Sequence, residues 1–261
     1  IRRALGAALV SPAFLLKSEI AKDTDESYQV SEYELACRLS YYLWASMPDD
    51  ELFQLAAEKR LAKPGVLAEQ VTRMLADPRS RAFVDSFTGQ WLGLDQLGEM
   101  PPDPKRFRDY YRGELESAMR MESRRFFAHV LDKNLDVAHF LDADFTFLNQ
   151  RLAEHYGIEG VEGPQFRRVR LNPDTPRGGL LGQASILTLT SNPDRTSPVK
   201  RGKWIMDNIL DTPPPPPPPD VPELEIAAKT APDAPLRKQL EIHRQKATCA
   251  ICHRQMDALG F

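Results

Sequence analysis

The residues with the clearest chemical potential lie near the end of the 261-residue chain, where Cys249-Ala250-Ile251-Cys252-His253 forms a C-x-x-C-H motif. Two thiols at this spacing can form thioether bonds to the two vinyl groups of one haem, and the adjacent histidine can bind the iron. The chain has only three cysteines and five histidines, so chance rarely produces the pattern. The motif predicts covalent haem c on Cys249 and Cys252, with His253 as proximal iron ligand.

Two other interpretations of the cysteine pair stay open. A structural zinc site needs four ligands, and His243 is the one further ligand close enough in sequence to join the motif. A thioredoxin-type dithiol would follow a strand in a βαβ context, and no such pattern precedes Cys249. Haem c is therefore the favoured cofactor, and zinc at the same cysteines is the main alternative.

The distal iron ligand is not identified by the sequence. Met256 follows His253 by three residues, which is too few to reach the opposite face of a haem. Met206 and His243 are upstream candidates, and a ligand beyond Phe261 is the alternative. A methionine would raise the reduction potential and a second histidine would usually lower it, so the potential stays open.

A cluster of basic residues surrounds a predicted helix start at Ser197-Pro198. Ser197 suits the N-cap and Pro198 the first helical position. Arg195, Lys200 and Arg201 lie close together there and are candidate partners of the haem propionates. The alternative is a solvated, capped helix start without a ligand.

Composition excludes several classes of function. The net charge is −3, which gives no electrostatic reason to expect a nucleic-acid partner. No apolar run is long enough for membrane insertion. The chain lacks an initiator methionine and stops soon after the motif, so we expect a piece of a longer protein with neighbouring domains. Covalent haem c is normally attached outside the cytoplasm, which predicts a periplasmic or other extracytoplasmic location.

The surrounding pattern predicts a mainly α fold, in which a multi-helix bundle is followed by a small, mostly helical haem module joined through a polyproline strap. Residues 1–157 form the predicted helical domain, including helices over 110–131 and 144–156. Residues 158–261 form a cytochrome c-like module, truncated at its C-terminus, with a short strand over 166–171 and an apolar run over 180–189 of undecided type. Pro213–Pro219 predicts a stiff spacer, followed by a short helix over 236–246.

Two stretches together resemble a known family. The first includes Arg38-Leu39-Ser40-Tyr41-Tyr42-Leu43-Trp44, and the second includes Thr196-Ser197-Pro198-Val199-Lys200-Arg201-Gly202-Lys203-Trp204, the proline run and the C-x-x-C-H motif. They resemble the large multi-domain cytochrome-like proteins of planctomycetes and related bacteria. The resemblance implies a helical domain of unknown function followed by a c-type haem module. The family's Asp-Pro-Leu-Gly-Phe stretch reads here Asp257-Ala258-Leu259-Gly260-Phe261, with Ala in place of Pro.

The predicted function is electron transfer by a covalent haem, to or from an unidentified redox partner. One alternative is a redox-fed enzyme whose catalytic site lies on a neighbouring domain, and another is a non-redox scaffold with zinc at the cysteines. The chain contains no G-x-S-x-G motif and no phosphate-binding loop, so the sequence identifies no catalytic residues of its own.

Overall fold

The computed structural model describes residues 1–16, 27–215, 234–245 and 247–261, and it is mainly helical, as the sequence predicts. The chain divides into two compact units, residues 1–83 and residues 84–261. In chain order the helices are α1 Arg2–Leu9, α2 Pro12–Leu15, α3 Glu32–Trp44, α4 Asp50–Ala57, α5 Pro64–Ala76, α6 Arg81–Trp91, α7 Leu115–Asp132, α8 Gln150–Tyr156, α9 Ala184–Leu189, α10 Pro198–Asn208, α11 Leu236–His243 and α12 Ala247–Gly260, and the strands are β1 Phe145–Leu148 and β2 Arg167–Arg170.

The first unit is organised by α3, α4 and α5. Helix α3 begins with a capping box, because the Ser31 hydroxyl accepts from the Glu34 amide at 3.2 Å and the Ser31 amide donates to the Glu34 carboxylate at 2.8 Å. At the other end of α3, the buried Trp44 indole donates to the Met74 carbonyl on α5 at 2.9 Å. Residues 30 positions apart are thus joined by a buried hydrogen bond.

The core of the second unit combines distant parts of the sequence. Phe126 of α7, Phe145 of β1, Ile186 of α9 and Trp204 of α10 belong to one buried apolar cluster. The Trp204 indole also donates to the Leu92 carbonyl at 3.2 Å, so the one polar atom of this side chain is satisfied. This core contains residues from both sides of the predicted 157/158 boundary, and the division into modules 1–157 and 158–261 stays a prediction.

Two predicted helices over the middle of the chain are shorter than expected. The helix predicted over 110–131 begins at Leu115, because Gly113 and Glu114 adopt left-handed backbone conformations with φ of 56° and 57°. The helix predicted over 144–156 is wrong in its first half, which forms β1. Asn149 then caps α8 by accepting from the Leu152 amide at 3.0 Å.

Strand β1 pairs with β2 in an antiparallel two-stranded sheet, with Phe145 opposite Arg170 and Leu148 opposite Arg167. The strand predicted over 166–171 is therefore confirmed. The undecided run over 180–189 forms a 3-10 turn, Leu180–Gly182, followed by α9. Other 3-10 turns span Pro78–Ser80, Leu94–Gln96, Arg108–Tyr111 and Val137–Phe140.

The helix start predicted at Ser197-Pro198 is confirmed. Ser197 caps α10 by accepting from the Lys200 amide at 3.3 Å, and Pro198 is the first helical residue. Of the proline run, residues 216–219 lie outside the described part of the chain, so the stiff spacer stays a prediction. No helix in the described part of the chain is long and apolar enough to cross a membrane.

Candidate functional site

The C-x-x-C-H motif lies on α12, so Cys249, Cys252 and His253 share one continuous helical segment. The two cysteine side chains lie outside the described atoms, whereas the His253 side chain is described and is largely buried, with 15% exposure. On a helix, positions three and four apart lie on the same face. The backbone therefore places Cys249 on the same face as Cys252 and His253, as the haem interpretation requires.

His253 is held by a buried carboxylate one turn further along α12. Its Nδ1 atom lies 3.1 Å from Oδ1 of Asp257, and the Asp257 side chain is only 1% exposed. A carboxylate accepts hydrogen bonds and does not donate them, so Nδ1 carries the proton of this bond. On the other side of the carboxylate, Nε of Arg244 lies 3.4 Å from Oδ2. A histidine that donates through Nδ1 binds a metal through its other ring nitrogen, so Nε2 is the atom of His253 that would coordinate iron.

The donor set fits a histidine-ligated metal cofactor. Histidines that bind metals usually donate their other ring N–H to a carboxylate or carbonyl, which holds the ring orientation and makes the ligand more basic. Asp257 has this relation to His253. Among the described residues, no group of three or more His, Cys, Asp or Glu side chains is placed to hold a bare metal ion. A zinc site would use Cys249 and Cys252, whose side chains are not described, so zinc is not tested.

Helix α12 packs against α10 with their backbones in close approach. A Cβ atom on Gly202 of α10 would overlap the carbonyl group of Met256, and a Cβ atom on Gly260 of α12 would overlap the carbonyl group of Pro198. Two glycines, one on each helix, therefore permit the contact. Of the distal-ligand candidates, Met206 lies buried on α10, whereas the His243 side chain is not described.

The three predicted propionate partners have different surroundings. Arg201 reaches α12, because one Nη atom donates to the Gly260 carbonyl at 3.1 Å and the other to the Thr196 hydroxyl at 2.9 Å. Its Nε atom is buried without a hydrogen-bond partner among the described residues, and burial lowers the pKa of its guanidinium. Arg195 pairs with Asp194 at 3.2 Å, and Lys200 is half-buried in the first turn of α10.

A buried acid in the second unit was missed by sequence reasoning. Glu122 on α7 is fully buried and accepts hydrogen bonds from the Thr146 hydroxyl and the Tyr156 hydroxyl, each at 2.6 Å. The Tyr156 oxygen in turn accepts from the Ala184 amide at 2.7 Å. Burial raises the pKa of Glu122 to about 7, although the two hydroxyl bonds and Arg177 oppose that increase. The available signal was an acidic residue on the apolar face of α7.

The second unit also contains a cavity of about 640 Å³, between the Arg108–Tyr111 turn, α7, α9 and the turn that precedes α10. Its lining includes buried Tyr110, Met119 and Ala184. No local pattern in the sequence predicts this cavity, because its walls come from segments that are far apart along the chain.

Comparison with known families supports the resemblance seen in the sequence. Residues 30–158 match the family model PSD4, described as a protein of unknown function (DUF1592), and residues 177–261 match PSCyt3, described as a protein of unknown function (DUF1588). Both are planctomycete-type cytochrome-like domains. No curated protein and no solved structure is significantly similar to the chain.

Proposed function

We propose that the chain is a c-type haem-binding electron-transfer module of a larger extracytoplasmic protein. The observation that carries this proposal is the contact of His253, within C-x-x-C-H on α12, with the buried Asp257 carboxylate at 3.1 Å. A histidine held in this way is prepared for iron coordination through Nε2. The matches to PSD4 and PSCyt3 add support at the level of the family.

Each residue of the site has a separate task in this proposal. Cys249 and Cys252 hold the haem covalently, and His253 binds its iron. Asp257 retains the proton at Nδ1 of His253 and holds the ring orientation, while Arg244 partly balances the negative charge of Asp257. A bound haem supplies a one-electron couple between ferric and ferrous iron. The protein environment then sets the potential through the proximal ligand, its hydrogen bond and burial.

The basic cluster at the start of α10 belongs to the same proposal. Arg201 is half-buried, no acidic side chain among the described residues pairs with it, and its Nε atom lacks a partner. A buried cation is favourable only when a counter-charge or hydrogen bonds compensate its desolvation. A haem propionate would provide that charge, and Arg195 and Lys200 are the neighbouring cations that could contribute.

The experiment is a spectroelectrochemical titration of the full chain, produced together with cytochrome c maturation machinery. We expect one haem per chain and a reversible one-electron transition. A colourless protein that contains stoichiometric zinc, and loses the zinc on Cys249→Ala substitution, would contradict the proposal and favour the scaffold. Turnover of a substrate by the isolated chain would instead favour the redox-fed enzyme.

A further inference from the structure

The cavity in the second unit concentrates positive charge. Six cationic side chains line it, against one acidic side chain, Asp109, although the whole chain has a net charge of −3. Clefts lined by one sign of charge attract ligands of the opposite sign and raise their local concentration. The six are Lys105, Arg106, Arg108, Arg112, Arg177 and Arg195.

Two acidic groups in or beside the cavity lining already pair with arginines. Asp109 pairs with Arg151 at 2.9 Å, and Arg151 holds its pKa below the ordinary range, so this carboxylate has a partner outside the cavity lining. Asp194 directly precedes the lining residue Arg195 in the chain and pairs with it at 3.2 Å. Of the six cations, Arg195 is thereby compensated.

Two of the remaining cations donate to backbone carbonyls, which are neutral. Arg106 donates to the Asp194 carbonyl at 2.8 Å, and Arg177 donates to the Gly182 carbonyl at 2.9 Å. These bonds hold the guanidinium groups in place without cancelling their charge. Arg177 also interacts with the buried Glu122 and opposes the rise of its pKa, so its charge is partly balanced when Glu122 is ionised, whereas no acidic side chain among the described residues pairs with Arg106. Arginines that are held in a fixed position and have further N–H groups to donate are suited to bind carboxylate, sulfate and phosphate oxygens.

The walls between these cations are apolar and aromatic. Phe107, Tyr110, Tyr156 and Leu187 line the cavity, and the Arg177 guanidinium lies 4.0 Å from the centre of the Tyr156 ring. Pockets for small organic ligands usually combine apolar walls with a few fixed polar groups. An inorganic anion would use the charge of this cavity and leave its aromatic surface without a contact.

We propose that this cavity binds a small organic anion, in which a carboxylate, sulfate or phosphate group is attached to an aromatic or apolar body. Arg195 is the one lining residue that the haem proposal also uses, and it already pairs with Asp194. None of the lining residues belongs to the C-x-x-C-H helix, so the two proposals can fail separately. Arg108 and Arg112 line the cavity and are exposed, so they can be replaced with little effect on folding.

The test is a calorimetric titration of the full chain with 8-anilinonaphthalene-1-sulfonate, an aromatic sulfonate. N-phenyl-1-naphthylamine serves as the matched probe that lacks the sulfonate, and inorganic sulfate as the anion that lacks the body. We expect one binding site for the sulfonate. The amine and inorganic sulfate should each bind at least about fivefold more weakly, because the amine lacks the charged contacts and sulfate lacks the aromatic ones.

Substitutions in the cavity lining test whether the sulfonate binds there. The double variant Arg108→Gln/Arg112→Gln should weaken sulfonate binding at least about fivefold and leave binding of the uncharged probe unchanged. The double variant Lys63→Gln/Arg81→Gln, at two exposed cations of the first unit, removes the same amount of charge and should behave as wild type. Equal binding of sulfonate and amine by wild type, or unchanged sulfonate binding by the double variant, would overturn the proposal. Circular dichroism melting confirms that each variant is folded.

Discussion

His253 and Asp257 form a buried pair on α12, with Nδ1 of the imidazole 3.1 Å from Oδ1 of a carboxylate that is 1% exposed. The two residues are four positions apart, so one helical turn is enough to bring them together. In a dry environment such a hydrogen bond is stronger than at the surface, and it increases the electron donation of the ring. The pair therefore links the helix geometry directly to the expected properties of a bound haem.

Replacing Asp257 by Asn should raise the reduction potential of the haem-loaded chain. A neutral amide oxygen accepts the hydrogen bond from Nδ1 more weakly than a carboxylate does. The His253 ring therefore donates less electron density to the iron, and the ferric state loses stabilisation. If the relative affinity for the two iron states changes tenfold, the shift is about 60 mV for one electron. Spectroelectrochemistry measures it.

Glu241→Gln is the matched control for this substitution. Glu241 lies on the exposed side of α11, paired with Lys238 at 3.1 Å, so its replacement removes one charge without touching His253. The reduction potential of the Glu241→Gln chain should remain near that of the wild-type chain. Equal shifts in both variants would mean that net charge, rather than the hydrogen bond, determines the effect.

Replacing Gly202 by Ala should destabilise the second unit. The new methyl group would overlap the Met256 carbonyl, so α10 and α12 would have to separate. Overpacking of this kind typically lowers the free energy of unfolding by about 1–3 kcal/mol. We expect the upper part of that range, because the overlapping carbonyl belongs to the backbone and cannot change rotamer as a side chain can. Urea unfolding measures the change in free energy.

Gly65→Ala provides the comparison for Gly202. A Cβ atom at Gly65, near the start of α5, meets no atom within 4 Å, and alanine favours helix. This variant should be as stable as wild type or more stable by up to about 1 kcal/mol. A Gly202→Ala protein with unchanged unfolding free energy would show that the two helices are not in backbone contact.

Glu122 should make stability fall as the pH rises from about 4.5 to about 7. Burial raises its folded-state pKa to about 7 from an ordinary value of 4.5, so in this window the folded chain retains a proton that the unfolded chain has lost. The loss reaches on the order of 3 kcal/mol and levels off above the folded-state pKa.

Glu122→Gln removes the titrating group and retains an oxygen acceptor for Tyr156 or Thr146. Its unfolding free energy should therefore lack this pH-dependent decrease, whereas Glu159→Gln, at an exposed position, should keep it. Urea unfolding at about pH 4.5 and about pH 7.5 is the measurement. A wild-type and a Glu122→Gln chain with parallel pH profiles would exclude the assignment.

Arg201→Ala should change both haem affinity and reduction potential if the guanidinium neutralises a propionate. Loss of a nearby positive charge stabilises the ferric state and lowers the potential. The variant also removes bonds to Gly260 and Thr196, so its folding stability should fall by about 1–3 kcal/mol. Reduced stability with an unchanged potential would leave Arg201 a purely structural residue.

Sequence patterns predict the structure correctly where residues within a single segment determine it. The Ser197-Pro198 helix start and the strand predicted over 166–171 are confirmed. The C-x-x-C-H spacing likewise identified the candidate site without any tertiary information. For the helix start and the motif, the deciding positions are a few residues apart, so residue type and spacing are enough to predict them. For the strand, the alternation of residue types along the segment is enough, although its partner is distant.

The missed features depend on contacts between distant segments. The sequence predicts helix where β1 forms, although Phe145 and Phe147 alternate with Thr146, because the partner strand begins 19 residues after β1 ends. Asp257 is only 1% exposed, and no local pattern on α12 predicts that burial. The charged cavity has no local signature, since Arg108, Arg177 and Arg195 meet only through the packing of the second unit.

The central claim is that Cys249, Cys252 and His253 hold a covalent haem. The most direct measurement is a pyridine haemochrome spectrum of the full chain, produced together with cytochrome c maturation machinery, beside a Cys252→Ala control. We predict a spectrum typical of two thioether bonds, shifted toward that of one thioether in the control. A colourless chain, or a haem that organic solvent extracts from wild type, would contradict the account.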